Sequence, residues 1–156
     1  MNTDKKISRR EALKRMGFAV MSGAIASSGL LSLASCETKR SKRIIFYFTG
    51  TGNSLYIARQ LAGENAELLS IPQMVKRGKY EFEADEIGIV YPIYGHMPPY
   101  MVRQFIQKAK LKAEYKFAVL TYGARKCDAV EIWDRISRKA DNAFDYISTI
   151  IMAVSY

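Results

Sequence analysis

From Arg43 onward, short continuous apolar runs alternate with segments whose apolar residues recur every three or four positions. Arg43 to Phe48 is β-branched and aromatic, the pattern of a buried strand. Ser54 to Ala62 carries Leu55, Ala58, Leu61 and Ala62 at helical spacing, and Gly63 ends it. Glu67 to Ile71 predicts a short second strand stopped by Pro72. Gln73 to Phe82 reads as a polar connection around Gly78. Ile87 to Tyr91 is a third strand. Pro98-Pro99 open a helix where proline is tolerated, and it continues through Met101, Val102, Phe105 and Ile106. Phe117 to Thr121 is a fourth strand. Asp128-Ala129-Val130-Glu131 fits a capping box ahead of a helix with Ile132, Trp133 and Ile136 on its apolar face. Tyr146 to Met152 is a last strand.

Strands that are nearly continuous apolar runs, separated by helices, predict an α/β fold whose parallel sheet is covered on both faces. In such sheets ligands bind beyond the carboxyl ends of the strands, where the winding reverses. The loops after strands one, three and four therefore matter most: Thr49 to Ser54, Pro92 to Met97 and Tyr122 to Cys127.

Composition changes this picture at the N-terminus. The 156 residues carry a net charge of +9. Residues 1–35 contribute six Lys/Arg against two Asp/Glu, which leaves 18 minus 13, or +5, for the rest. That remaining charge is scattered and forms no basic stripe of the kind that tracks a nucleic-acid backbone. Nucleic acid is not an expected partner.

Residues 1–35 read as an export signal, to be set aside from the fold. Ser8-Arg9-Arg10-Glu11-Ala12-Leu13-Lys14 resembles the twin-arginine export motif, with Ala12 where that family usually has Phe. The apolar stretch Met16 to Ala34 includes three Gly and four Ser, so it is only weakly hydrophobic. It ends in Leu33-Ala34-Ser35-Cys36, which resembles a bacterial lipobox with Cys36 as the lipidated residue. An uncleaved anchor and an ordinary secretory signal are the alternatives. Lipid chains contribute ~0.8 kcal/mol per buried methylene, and two or more chains anchor stably. Residues 36–42 would then be a basic tether of at most ~25 Å that holds the domain, residues 43–156, against a membrane.

The chain has two cysteines, one histidine and no CxxC, so it carries no zinc or iron–sulfur ligand set of the usual spacing. If Cys36 is lipidated, Cys127 has no cysteine to pair with.

Candidate chemistry concentrates in Thr49-Gly50-Thr51-Gly52-Asn53-Ser54. A glycine-rich turn entering a helix suits an anion, because the first helical N–H groups lack partners and the dipole places roughly +0.5 charge there. Thr49, Thr51 and Ser54 can add hydroxyl donors. No Lys follows, so a nucleoside-triphosphate loop is excluded. Gly50 and Gly52 are present but Leu55 stands at the third glycine of GxGxxG, and no acidic residue ends the second strand, so a dinucleotide loop is excluded too. A cradle for one monoester phosphate remains, with a plain strand–helix turn in which Thr and Ser only cap the helix as the alternative.

The hexapeptide Thr49 to Ser54 resembles the T/S-x-T-G-x-T/S phosphate loop of flavodoxins, and "IIFYFTGTGNSLYIAR" looks like the flavodoxin-like domains that precede bacterial ferredoxin modules. "GIVYPIYGHMPPYMVRQFI" and "FAVLTYGARKCDAV" stand where that family has its two flavin-flanking loops. The resemblance spans about Lys42 to Tyr156. It implies a doubly wound five-stranded sheet of order 2-1-3-4-5 and FMN as cofactor. Thr49, Gly50, Thr51, Gly52, Asn53 and Ser54 would hold the phosphate. Ile93, Tyr94 and Gly95 would flank one side of the isoalloxazine, and Thr121, Tyr122, Gly123 and Cys127 the other. Gly95 could turn its carbonyl toward N5. Arg125-Lys126 departs from the acidic rim of that family and would raise the flavin's potential. The family's last helix is missing from the chain.

Other residues read blandly. Tyr91 and Trp133 are core, Tyr100 covers a rim, His96 is a solvated loop residue and Cys127 an incidental thiol. The expected function is FMN-dependent electron transfer, exported and membrane-tethered, with a redox protein partner of ferredoxin-like kind. A flavin-free interaction module and a quinone or flavin reductase are the alternatives.

Overall fold

The computed structural model describes residues 42–152, which belong to one compact unit, Glu37–Tyr156. The export signal expected at 1–35, Cys36 and nearly all of the tether lie outside the described residues. Eleven elements follow one another: β1 Arg43–Tyr47, α1 Asn53–Ala62, β2 Ala66–Ser70, α2 Ile71–Arg77, β3 Glu81–Glu83, β4 Glu86–Pro92, α3 Tyr100–Lys108, β5 Lys110–Lys112, β6 Tyr115–Tyr122, α4 Ala129–Lys139 and β7 Tyr146–Ile151.

Five strands form one parallel sheet in the order β2-β1-β4-β6-β7, which is the 2-1-3-4-5 winding expected. The chain moves outward from β1 to β2, then returns to β4 on the other side of β1. The reversal between β1 and β4 opens the carboxyl end of the sheet at that point.

Alternation along each strand sends side chains to opposite faces. Ile44, Phe46, Ile87, Ile89, Tyr91, Ala118 and Leu120 point to one face and pack with Ile71 and Met74 of α2, Val102, Phe105 and Ile106 of α3, and Trp133 of α4. Ile45, Val90 and Val119 point to the other and pack with Ala58 and Ala62 of α1. Gly88 sits on this second face. A Cβ there would lie 2.6 Å from Phe117 Cζ and 2.7 Å from Ile45 Cδ1, so glycine lets the Phe117 ring lie over β4. Among the described residues α1 alone covers this face. Tyr115 and Tyr146, on the same side of β6 and β7, are 41% and 54% exposed.

The stretch Gln73–Phe82 is not a plain connection. Ile71–Arg77 is a seven-residue helix with Pro72 in its first turn, and Gly78 at φ +64° ends it. Strand β3 follows and pairs in parallel with β5 in a second, two-stranded sheet. Phe82 and Leu111 are buried at its centre, while Glu81 opposes Lys110, with Nζ 2.8 Å from Oε1. Asn142 is a buried polar clamp behind it. Its Oδ1 accepts from the Leu111 N–H at 3.2 Å, and its Nδ2 donates to the carbonyls of Ala109 at 2.8 Å and Ala140 at 3.0 Å.

Tyr91 is fully buried with its ring 4.9 Å from that of Trp133, and its hydroxyl has no hydrogen-bond partner. Burial pushes this phenol well above its ordinary value near 10. The folded protein therefore keeps a proton that the unfolded chain releases once the pH passes about 10. The contribution to stability is complete below that pH and is lost progressively as the pH climbs toward the folded value. Tyr91→Phe is expected to remove this alkaline loss, and to change stability by no more than about 1 kcal/mol at neutral pH, because it deletes an unpaired group. Urea unfolding at neutral pH and above pH 10 measures both.

Candidate functional site

At the switch point the loops after β1, β4 and β6 meet around a cleft of about 200 Å³. Its floor and one end come from Thr49, Gly50, Thr51, Asn53 and Ser54. Pro92, Ile93 and Tyr94 form one wall, and Thr121, Tyr122, Gly123 and Met152 the other. Ten of the thirteen residues expected at a site thus line one cleft. Gly52, Gly95 and Cys127 do not line it. Pro92, from a loop expected at this end, and Met152 line it without being among the thirteen: Pro92 ends β4, and the Met152 N–H bonds the Tyr122 carbonyl at 2.8 Å, which draws it to the wall.

The first loop is shaped by Gly52, whose φ of +94° only glycine adopts without strain. The Gly52 N–H donates to Thr49 Oγ1 at 2.9 Å, so this amide stabilises the loop itself. The Gly52 carbonyl accepts the first helical bond, from the Tyr56 N–H at 2.9 Å. The N-cap residue, Gly52, has no side chain of its own to cap α1. The positive end of the helix faces the cleft. Among the described residues that line the cleft, none is Lys or Arg.

Ser54 and Thr121 join the first loop to the end of β6. Their hydroxyl oxygens are 2.8 Å apart, and the residues are 1% and 2% exposed. One hydroxyl donates to the other. The one that accepts keeps its own proton, so the pair still offers a donor at the cleft.

The second loop is a tight turn. Tyr94 and Met97 exchange backbone hydrogen bonds of 3.0 and 3.1 Å, and Gly95 and His96 between them have φ of +52° and +72°. Positive φ at both central residues is a type I′ turn, whose second position is filled here by His rather than the usual Gly. Tyr94 leans back across the cleft: its ring meets Phe48 edge-on at 6.5 Å, and a Cβ on Gly50 would lie 2.5 Å from its hydroxyl. Gly50 thus admits the tyrosine.

The third loop brings a correction. Asp128 stands at the N-cap of α4, but its side chain makes no capping bond. Its Oδ1 instead lies 3.5 Å from His96 Nδ1. Cys127 Sγ lies 3.7 Å from His96 Nε2. His96 is solvated as expected, its side chain 60% exposed, and Cys127 is a free, exposed thiol; what the sequence did not show is that the two, with Asp128, lie side by side. No periodicity signals this meeting. It follows only once the sheet order sets the two loops side by side.

Arg125 and Lys126 are exposed in the same loop. Among the described residues no group of three or more His, Cys, Asp or Glu could hold a metal ion, and no helix is long and apolar enough to cross a membrane.

No protein-family model matches the sequence, and no curated protein matches it. Solved structures do match. A flavoprotein from Lactobacillus acidophilus, solved in complex with FMN, aligns over 70% of this chain and 93% of its own at 12% identity and a TM-score of 0.52. A candidate flavoprotein from Bacteroides uniformis aligns over 74% and 94% at 15% identity and a TM-score of 0.54. One from Bacteroides eggerthii aligns over 74% and 90% at 17% identity and a TM-score of 0.53. At these identities the likeness is one of fold: the chain has a flavodoxin-like α/β fold.

Proposed function

We propose that this chain binds FMN and carries electrons, as an exported protein held at a membrane by lipidated Cys36. The observation that supports the first part best is the cleft, with a helix N-terminus and hydroxyls at one end, two loops at the other, and no Lys or Arg among the described residues that line it. That donor set fits a phosphate monoester, which amides and hydroxyls can hold alone. Thr49, Thr51 and the Ser54–Thr121 pair would bind the phosphate. Ile93 and Tyr94 on one side, and Tyr122 and Gly123 on the other, would receive the ring system, with a tyrosine available for stacking. Gly95 leaves the second loop free to re-aim a carbonyl. FMN, when bound, supplies reversible electron transfer, and the chain sets its potential through hydrogen bonds and local charge.

The L. acidophilus neighbour with its FMN supports this reading by analogy of fold. The exposed Arg125 and Lys126 favour an acidic partner, a redox protein of ferredoxin-like kind. Tethering rests on Ser8-Arg9-Arg10 and on Leu33-Ala34-Ser35-Cys36.

Full-length protein made in a host with twin-arginine and lipoprotein machinery is expected to be yellow and to sediment with membranes. Acid should release FMN rather than FAD. Cys36→Ser should move the protein to the soluble fraction with its flavin content unchanged. Colourless protein that takes up no added FMN would return the chain to the class of interaction modules.

A further inference from the structure

The Cys127–His96–Asp128 meeting has a chemistry of its own. The three side chains come from two loops 31 residues apart in sequence. They stand in the order nucleophile, base, orienting carboxylate: Sγ to Nε2 at 3.7 Å, then Nδ1 to Oδ1 at 3.5 Å. With its Nδ1–H turned to Asp128, the imidazole directs the Nε2 lone pair at the thiol. These contacts are as loose as such arrangements often are before a reactant arrives. Cys127 is exposed, so a reactant can reach the sulfur. Arg125 and Lys126, immediately before it, are exposed as well. Both residues that meet are non-glycine residues in the left-handed region, His96 at +72° and Cys127 at +47°. Few residues adopt that conformation, and here two touching ones do.

We propose that Cys127, His96 and Asp128 form a thiol-exchange site for small anionic disulfides. In the step, Sγ attacks one sulfur of RS–SR and its proton passes to His96 Nε2. A new Sγ–S bond forms and the RS–SR bond breaks. The leaving thiolate takes the proton from the imidazolium and departs as RSH. Cys127 is oxidised to the mixed disulfide, and one half of the small disulfide is reduced to a thiol. Asp128 is a positioning residue that holds the reactive tautomer. The adjacent Arg125 and Lys126 attract the negative charge of the reactant. With Cys36 lipidated or replaced by Ser, the chain has no second thiol to resolve the adduct, so an external thiol must remove it. The site needs no flavin in the neighbouring cleft.

The test uses the full chain with Cys36→Ser, so that Cys127 is the sole thiol. The probes are 5,5′-dithiobis(2-nitrobenzoate), which is anionic, and 4,4′-dithiodipyridine, which is neutral. At neutral pH the native protein should react with the anionic probe about tenfold or more faster than the same chain unfolded in guanidinium chloride. His96→Asn, which keeps a residue tolerant of the left-handed turn, should remove that advantage for both probes. Arg125→Ala with Lys126→Ala should slow the anionic probe and spare the neutral one. The chain has one histidine, so its ring nitrogens read unambiguously by NMR. They should report the Nδ1–H tautomer in the parent and its loss in Asp128→Asn. A native rate equal to the unfolded one, a His96→Asn rate equal to the parent's, or an Nε2–H tautomer in the parent overturns the proposal.

Discussion

Replacing Ser54 by Ala and Thr121 by Val together is expected to weaken FMN binding by about 10- to 100-fold while the fold survives. The two hydroxyls are buried and 2.8 Å apart, and one proton of the pair is left to donate into the cleft. A hydrogen bond to a charged acceptor is worth about 1.5–3 kcal/mol, and each 1.4 kcal/mol is about tenfold in affinity. Stability should follow the opposite logic. Either single substitution strands the remaining hydroxyl in a buried place without its partner, at a cost of about 1–3 kcal/mol. The double substitution removes donor and acceptor together and should be nearly neutral. Urea unfolding of the four proteins and fluorescence titration of each with FMN complete the cycle. Additive loss of stability would mean that the pair is not the isolated buried bond described above.

Trp133→Ala is expected to lower stability by about 3–5 kcal/mol. Trp133 is fully buried, with its ring 4.9 Å from Tyr91 and 5.3 Å from Phe144. It joins α4 to the sheet face beneath it. Whole domains are stable by only about 5–15 kcal/mol, so this change removes a large share. Trp133→Phe should cost far less than alanine does. It keeps most of the ring area and deletes an indole N–H that has no hydrogen-bond partner. The denaturant midpoint at constant slope measures both.

These two sites differ in how legible they were. Trp133 announces itself, since an aromatic at helical spacing among Ile132 and Ile136 belongs to a core. The five main strands are legible for the same reason: parallel strands buried on both faces are continuous apolar runs, as in Ile87 to Tyr91. Strands β3 and β5 are not. Each is three residues with a single apolar centre, Phe82 or Leu111, and only pairing with the other makes either a strand. Helix α2 was hidden because Pro72 reads as a strand stop, whereas β2 ends at Ser70 and Pro72 lies in the first turn of the helix that begins at Ile71. The cleft could be read from its loops, because their positions after β1, β4 and β6 follow from the winding. Within it, hydrogen-bond partners could not. Nothing local joins Ser54 to Thr121, or Asp128 to His96 rather than to the end of its own helix. Those choices are made by the distance between loops, which the sheet order sets.

The central claim is that a helix end and a few hydroxyls hold a phosphate without a cation. Parallel titrations of folded apoprotein with FMN and with riboflavin test it most directly, because the two ligands differ only in the phosphate. FMN is expected to bind at micromolar concentration or tighter, and riboflavin about a hundredfold or more weakly, as the loss of two charge-assisted hydrogen bonds requires. Equal affinities for the two, or no uptake of FMN by folded protein, would contradict it.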